Sequence, residues 1–254
     1  VKKGYPETGE LVIATVKTVK PYGAFVTLDE YEGKEGFIHI SEIATGWIKY
    51  IRDHVREGQK VVCKVLRVDP SRGHIDLSLK RVNEHQRREK IQEWKNEKKA
   101  EKLFEIVAQR LGKDVEECYE EFGYDLIEHF GTLFAAFEES AINEEILKDE
   151  GFEGDWIDAF VQVAKENIVP PYVRISGYLE LTTTAPNGIE HIKKVLQDIE
   201  DENIVVTYMG APRYRINVRA EDYKTAEELL QNAANKALEE FKNLGGEGEY
   251  HRRL

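Results

Sequence analysis

Aromatic side chains and a histidine recur on short, glycine-punctuated runs early in the chain. The runs are Tyr22-Gly23-Ala24-Phe25-Val26 and Gly36-Phe37-Ile38-His39-Ile40-Ser41-Glu42. A flat ring held on a strand can stack on a nucleobase. Every base has such a face, so stacking contributes roughly 1–3 kcal/mol per base with little sequence preference. Tyr22, Phe25 and His39 are the leading candidates, although Phe25 or Phe37 could instead fill a core. Lys64, Lys80 and Arg81 could neutralise phosphates beside them, and so could Lys49, Arg52 and Arg56 from a long connection downstream.

Other chemistries have no support in the residue pattern. His54 and His74 are scattered, and Cys63 and Cys118 form no Cys/His pair with zinc spacing, so no metal site is expected. No phosphate loop of the Gly-x4-Gly-Lys-Ser/Thr kind exists, and no Gly-x-Gly-x-x-Gly follows a strand. Paired carboxylates abound between residues 85 and 171 but lack a flanking base or nucleophile. The expectation is a chain without catalysis and without a cofactor.

The candidate residues need strands to hold them. Val12, Ala14, Val16 and Thr18 alternate with Leu11, Ile13, Thr15 and Lys17, and Val61 to Val68 repeats the alternation, with Cys63 as a core position. Asp69-Pro70-Ser71-Arg72-Gly73 reads as a turn into Ile75-Asp76-Leu77-Ser78-Leu79-Lys80. Five short strands with one long connection fit an oligonucleotide/oligosaccharide-binding (OB) barrel. In that connection, Ser41 to Gly58, residues Ile43, Trp47, Ile48, Ile51 and Val55 recur at helical spacing. They predict one or two short helices packed on the barrel.

After Arg81 the period changes to three-four. Ile91, Trp94, Ala100, Leu103, Phe104, Val107, Ala108 and Leu111 predict a long helix whose charged first half, Glu84 to Lys99, bridges through solvent. Gly112-Lys113-Asp114 ends it, and helices follow near Val115–Phe122, Asp125–Glu139, Glu144–Asp149 and Asp155–Asn167. Val169-Pro170-Pro171 is the clearest boundary, because prolines stop a helix and stiffen an extended connection. It predicts a hinge near Val169–Tyr172, with everything before it one rigid body. Beyond it the pattern is strand, helix, strand, strand, helix and a short terminal strand, a split βαβ, ferredoxin-like order. Arg174, Arg213, Arg215 and Arg219 fall on the polar alternates of those strands. They are either a solvated face paired with Glu180 or a docking surface.

Charge is unevenly spread in these 254 residues of net charge −12. Residues 1–84 carry 14 Lys+Arg and 12 Asp+Glu, net +2, residues 85–171 are net −11 and residues 172–254 are net −3. An acidic middle repels phosphate, so RNA contact should be local, salt-sensitive and weak for the chain alone. Two cysteines suit a reducing cytosol, and no apolar run approaches the ~18 residues of a membrane span. The expected location is cytoplasmic.

Tyr22-Gly23-Ala24-Phe25 with Phe37-Ile38-His39-Ile40-Ser41-Glu42 and Ile75-Asp76-Leu77-Ser78 resembles an S1-type RNA-binding domain. Asp69-Pro70 with Gly73 to Val82, the helical middle, Pro186-Asn187-Gly188 and Gly210-Ala211-Pro212-Arg213-Tyr214 extend the likeness. Together they resemble the alpha subunit of archaeal and eukaryotic translation initiation factor 2 along nearly the whole chain. The resemblance implies a multidomain α and β protein. It has an S1-type OB barrel over 1–84, an α-helical domain over 85–171 and an α+β ferredoxin-like domain over 172–254. It also implies a heterotrimer, in which the last domain docks a GTP-binding gamma subunit and, through it, a beta subunit. The assembly would hold initiator methionyl-tRNA and deliver it to the small ribosomal subunit. The family's aromatic surface maps onto Tyr22, Phe25 and His39, with Asp69 and His74 beside it. Whether the barrel also meets mRNA stays open.

One departure matters. Eukaryotic members carry a regulatory phosphorylated serine after the first Ser-Glu pair, and that position is Ala44 here, followed by Thr45-Gly46-Trp47. Alanine has no hydroxyl, so the switch is absent and the archaeal branch is indicated. A stand-alone S1-type RNA-binding or ribosome-associated protein is the competing reading, and it predicts a more basic chain.

Overall fold

The computed structural model describes residues 2–254. The chain divides into two compact units, Val1–Lys99 and Ala100–Leu254. The described residues form three separate hydrophobic cores.

The first core is a closed barrel of β1 (Leu11–Lys20), β2 (Gly23–Leu28), β3 (Glu35–His39), β4 (Lys60–Asp69) and β5 (His74–Ser78), in the order β1-β2-β3-β5-β4. Val61, Cys63 and Val65 point inward from β4, as the alternation requires. On β1 the alternation breaks. A register shift between Val16 and Thr18 turns Val19 into the core where Thr18 was expected. The Ser41–Gly58 connection holds no α-helix. It makes 3-10 turns at Ile40–Glu42 and Ile51–Asp53. Ile43, Ile48, Ile51 and Val55 are buried against the barrel as expected, but Trp47 is 85% exposed.

Helix α1 (Glu84–Leu111) follows. Its first half is more than a solvent bridge. Lys90 is buried and donates to Glu30 at 2.9 Å, and Lys60 of β4 lies 5.0 Å over the Trp94 ring.

The second core is all helical. It comprises α2 (Val115–Cys118), a π turn (Tyr119–Gly123), α3 (Tyr124–Phe130), α4 (Leu133–Ile142), α5 (Ile146–Asp149) and α6 (Ile157–Asn167). The single helix expected over Asp125–Glu139 is two. Gly131 takes φ +91°, and Thr132 caps α4 by accepting from the Ala135 N–H.

The third core is an antiparallel sheet backed by two helices. Strands β6 (Val173–Thr182), β7 (Ile204–Tyr208), β8 (Arg213–Ala220) and β9 (Glu247–His251) run in the order β7-β8-β6-β9. Helices α7 (Gly188–Ile199) and α8 (Tyr223–Asn243) complete the ferredoxin-like βαββαβ arrangement. This sheet is tied to the helical core within one compact unit. Arg252 donates to Glu144 at 2.9 Å, Arg215 donates to Glu145 and Asp149, and Tyr223 donates to the Ala141 carbonyl. The break expected at Val169–Tyr172 is therefore spanned by polar contacts.

Candidate nucleic-acid interface

The outer face of β2 and β3 follows from pleat geometry. Gly36 and Ile38 face the core, so Phe37 and His39 share the opposite side. Phe25 pairs with Phe37 across the two strands, and Gly23 pairs with His39. Tyr22 sits in the two-residue turn that joins β1 to β2, and its carbonyl accepts from the Ile40 N–H at 3.0 Å.

These four side chains form one ring cluster. Phe37 is at its centre, with ring centroids 6.0 Å from Tyr22, 5.0 Å from Phe25 and 6.4 Å from His39. Tyr22 meets Phe25 edge-on at 6.4 Å. Tyr22 is 54% exposed, His39 is exposed, and Phe25 and Phe37 are half-buried beneath them. Sequence reasoning left Phe37 between core and surface. The signal that places it outside is its alternation with the buried Ile38. Gly23 matters because a Cβ there would collide with the Phe37 ring and the Ile38 carbonyl.

The imidazole is oriented. His39 Nδ1 accepts the Ser41 backbone N–H at 3.0 Å and lies 2.7 Å from the Ser41 hydroxyl. In the neutral ring the proton is therefore on Nε2, which faces away from that contact.

The charged candidates divide into bound and free. Glu42 accepts from Arg81 at 3.0 and 3.2 Å and from the Ser78 hydroxyl at 2.6 Å, with Lys80 at 4.0 Å. Burial pushes the Glu42 carboxyl up, but the Ser78 hydrogen bond and the Arg81 guanidinium outweigh it and hold the group below the usual carboxylate range. Arg81 is thus committed to Glu42. Asp69 accepts from Ser71 at 2.6 Å, which lowers its pKa and closes the β4–β5 turn, and His74 pairs opposite it. Lys64 lies on β4 opposite Leu11 and Ser78. Arg67, which the sequence reading passed over, pairs with Asp76, and Asp76 pairs with Phe37, so a cation borders the ring cluster. Lys49, Arg52 and Arg56 are exposed on the long connection. Ala44 is half-buried against the barrel core.

The four C-terminal arginines share one sheet face, since Arg174 pairs with Arg219, Tyr178 with Arg215 and Glu180 with Arg213. Arg215 is held by Glu145 at 2.6 Å and Asp149 at 2.9 Å, and Arg213 donates to Glu180 at 3.2 Å. Arg219 lies 4.1 Å and Arg174 5.4 Å over the Tyr172 ring. Nearby, Glu180, Glu249 and His251 bring ligand-type atoms within 4.8 Å of one another. The Arg213 guanidinium on Glu180 opposes a cation there. Exposed Tyr208 and Met209 at the β7–β8 turn are further surface residues that sequence reasoning missed.

Comparison with known proteins gives the family. The family model of the eukaryotic translation initiation factor 2 alpha subunit matches residues 118–223, and the S1 RNA binding domain model matches residues 5–80. Translation initiation factor 2 subunit alpha of Methanothermobacter thermautotrophicus is 53% identical over 254 residues, covering 100% of this chain and 97% of that relative. The chain belongs to the translation initiation factor 2 alpha-subunit family. The same subunit of Methanopyrus kandleri is 52% identical over 98% of this chain and 96% of that relative. The crystal structure of the intact alpha subunit of aIF2 from Pyrococcus abyssi is 45% identical, covers 98% of both chains and superposes with a TM-score of 0.63. A chain in the a/eIF2alpha–aDim2p–rRNA complex from Pyrococcus horikoshii OT3 is 49% identical over 65% of this chain and 98% of that chain, with a TM-score of 0.60. The S1-type barrel, the helical middle and the α+β end expected from sequence are thus the family's architecture. No helix among the described residues is long and apolar enough to cross a membrane.

Proposed function

We propose that this chain is a non-catalytic alpha subunit of heterotrimeric initiation factor 2. In this reading it helps a GTP-bound gamma subunit hold methionylated initiator tRNA and deliver it to the small ribosomal subunit in the cytoplasm. Full-length likeness to subunits of that name carries the reading. The Tyr22–Phe25–Phe37–His39 cluster, open to solvent at Tyr22 and His39, supports RNA contact, as does the rRNA complex formed by a relative. The net charge of −12 disfavours a stand-alone RNA binder, which should be basic.

In this proposal residues 172–254 dock gamma. Arg174 and Arg219 remain the available cations of the arginine face, because Arg215 and Arg213 are already paired. Tyr208 and Met209 supply the apolar contact that interface centres favour. Gel filtration with a gamma subunit should give a stable complex that Tyr208→Asp with Met209→Asp abolishes. The complex should retain initiator tRNA on a filter better than gamma alone. Equal retention with and without the alpha chain would remove the tRNA role.

A further inference from the structure

Strand β9 forms one edge of the C-terminal sheet, and its pairing with β6 sets three ligand-type side chains on one face. Glu180 lies directly opposite Glu249, and Tyr178 lies opposite His251. Glu249 and His251 are two residues apart on β9, so the pleat turns both to the side that carries Glu180. The ligand atoms of Glu180, Glu249 and His251 come within 4.8 Å of one another, and His251 Nε2 is 3.4 Å from Glu249 Oε2. Among the described residues this is the one group of three such ligands. The contact of His129 with Glu150, at 3.1 Å, has no third member. Sequence spacing hides the group, because Glu180 and Glu249 meet only through strand pairing.

Like charges directly opposite on neighbouring strands repel, so the Glu180–Glu249 pair calls for a cation. Arg213 answers only in part. Its Nε donates to Glu180 Oε1 at 3.2 Å, and two carboxylates against one guanidinium still leave one negative charge. The charge of Arg213 opposes an added cation, but its hydrogen bond orients the carboxylate, as outer-sphere partners of metal-bound carboxylates do. The next guanidinium on the face, Arg215, is already neutralised by Glu145 and Asp149. The edge leaves a path for entry, since Glu249 is exposed and Glu180 and His251 are half-buried. One imidazole nitrogen with two carboxylate oxygens suits zinc and its first-row neighbours, which bind three protein ligands and take water in the remaining position. A calcium or magnesium site needs about six oxygens, more than this face offers. We propose that Glu180, Glu249 and His251 bind a divalent transition-metal ion of the zinc class. The ion staples β9 to β6, and β9 leads directly into Arg252, whose guanidinium reaches Glu144 of the helical core. The site is separate from the ring cluster of the barrel.

The full chain, stripped with a chelator, is titrated with Zn²⁺ by calorimetry at neutral pH. One ion should bind. The melting temperature should rise with free Zn²⁺ by mass action, and amide exchange should slow along β9. His251→Gln and Glu249→Gln should each weaken binding by more than the roughly 10–100-fold that outer-sphere changes cost. Neither should lower the melting temperature of the metal-free chain, because both side chains stand at an open edge. His129→Gln should bind Zn²⁺ as wild type does. Arg213→Gln keeps a donor for Glu180 but removes the opposing charge, so it should tighten binding on the order of tenfold. No Zn²⁺ binding by the wild type would overturn the proposal. So would binding that survives both His251→Gln and Glu249→Gln, or that is lost in His129→Gln, since the ion would then sit elsewhere.

Discussion

Replacing Tyr22 by alanine removes a ring that touches Phe25 and Phe37 only from outside. Tyr22→Ala and His39→Ala should therefore cost about 1–3 kcal/mol of RNA binding and leave the thermal midpoint unchanged. Circular dichroism melts beside RNA titrations of the gamma complex separate the effects. A midpoint lowered by several degrees would mean the rings are structural. Gly23→Ala should behave in the opposite way, because the new methyl collides with Phe37 and the Ile38 carbonyl. Overpacking of this kind costs about 1–3 kcal/mol, so denaturant unfolding should move to lower concentration. That Tyr22 and His39 face outward was legible in the sequence. Phe37 was not, because an aromatic on a short strand fits core or surface equally, and only its phase against Gly36 and Ile38 decides.

Elements were legible where a period is long and uniform. The five barrel strands, α1, α6 and α8 follow their alternation or three-four rhythm closely. Errors came where one residue resets the phase. The register shift in β1 exchanged Thr18 for Val19. Gly131 and Thr132 split a continuous apolar rhythm into α3 and α4. The connection after β3 does make two short helices packed on the barrel, as the spacing of Ile43, Ile48, Ile51 and Val55 predicts, but they are of the 3-10 kind. Burial of its apolar residues is satisfied without a full helix, and Trp47 is released. The cap is testable. Thr132→Ala removes the acceptor for Ala135 N–H and should destabilise by about 1 kcal/mol. Thr132→Ser should restore it. Equal denaturation curves for the alanine variant and wild type would show that the cap contributes nothing.

At the scale of the molecule, the Val169-Pro170-Pro171 segment announces a break, and prolines do terminate α6. Sequence spacing cannot reveal which surfaces then meet. Two ionic clusters close this gap within Ala100–Leu254. One is Glu144, 9% exposed, accepting from Lys165 and Arg252, with Arg252 also on Glu227 and the Ser176 carbonyl. The other is Arg215 with Glu145 and Asp149, beside Tyr178, whose hydroxyl donates to Glu145. Burial pushes the Glu144 carboxyl up, but Lys165, Arg252 and Arg253 more than offset it and hold it below its ordinary value. A lowered carboxylate stabilises above its unfolded pKa of about 4.3 and loses that contribution as pH falls through its folded value. The contact is therefore intact at neutral pH and loosens only in acid. Partial burial also shields it from salt, whose screening length is about 8 Å at physiological strength. Removing one partner leaves a half-buried charge. Arg252→Ala and Arg215→Ala should each cost about 1–3 kcal/mol. The helical and sheet cores each have their own apolar packing. The double variant should therefore keep both cores folded while uncoupling them. Calorimetry should resolve one more transition than in wild type, and hydrogen exchange should rise at Glu144–Asp149 and along the arginine face of β6 and β8. An unchanged thermogram and unchanged exchange in the double variant would show that apolar packing, not these ion pairs, holds the helical core to the sheet.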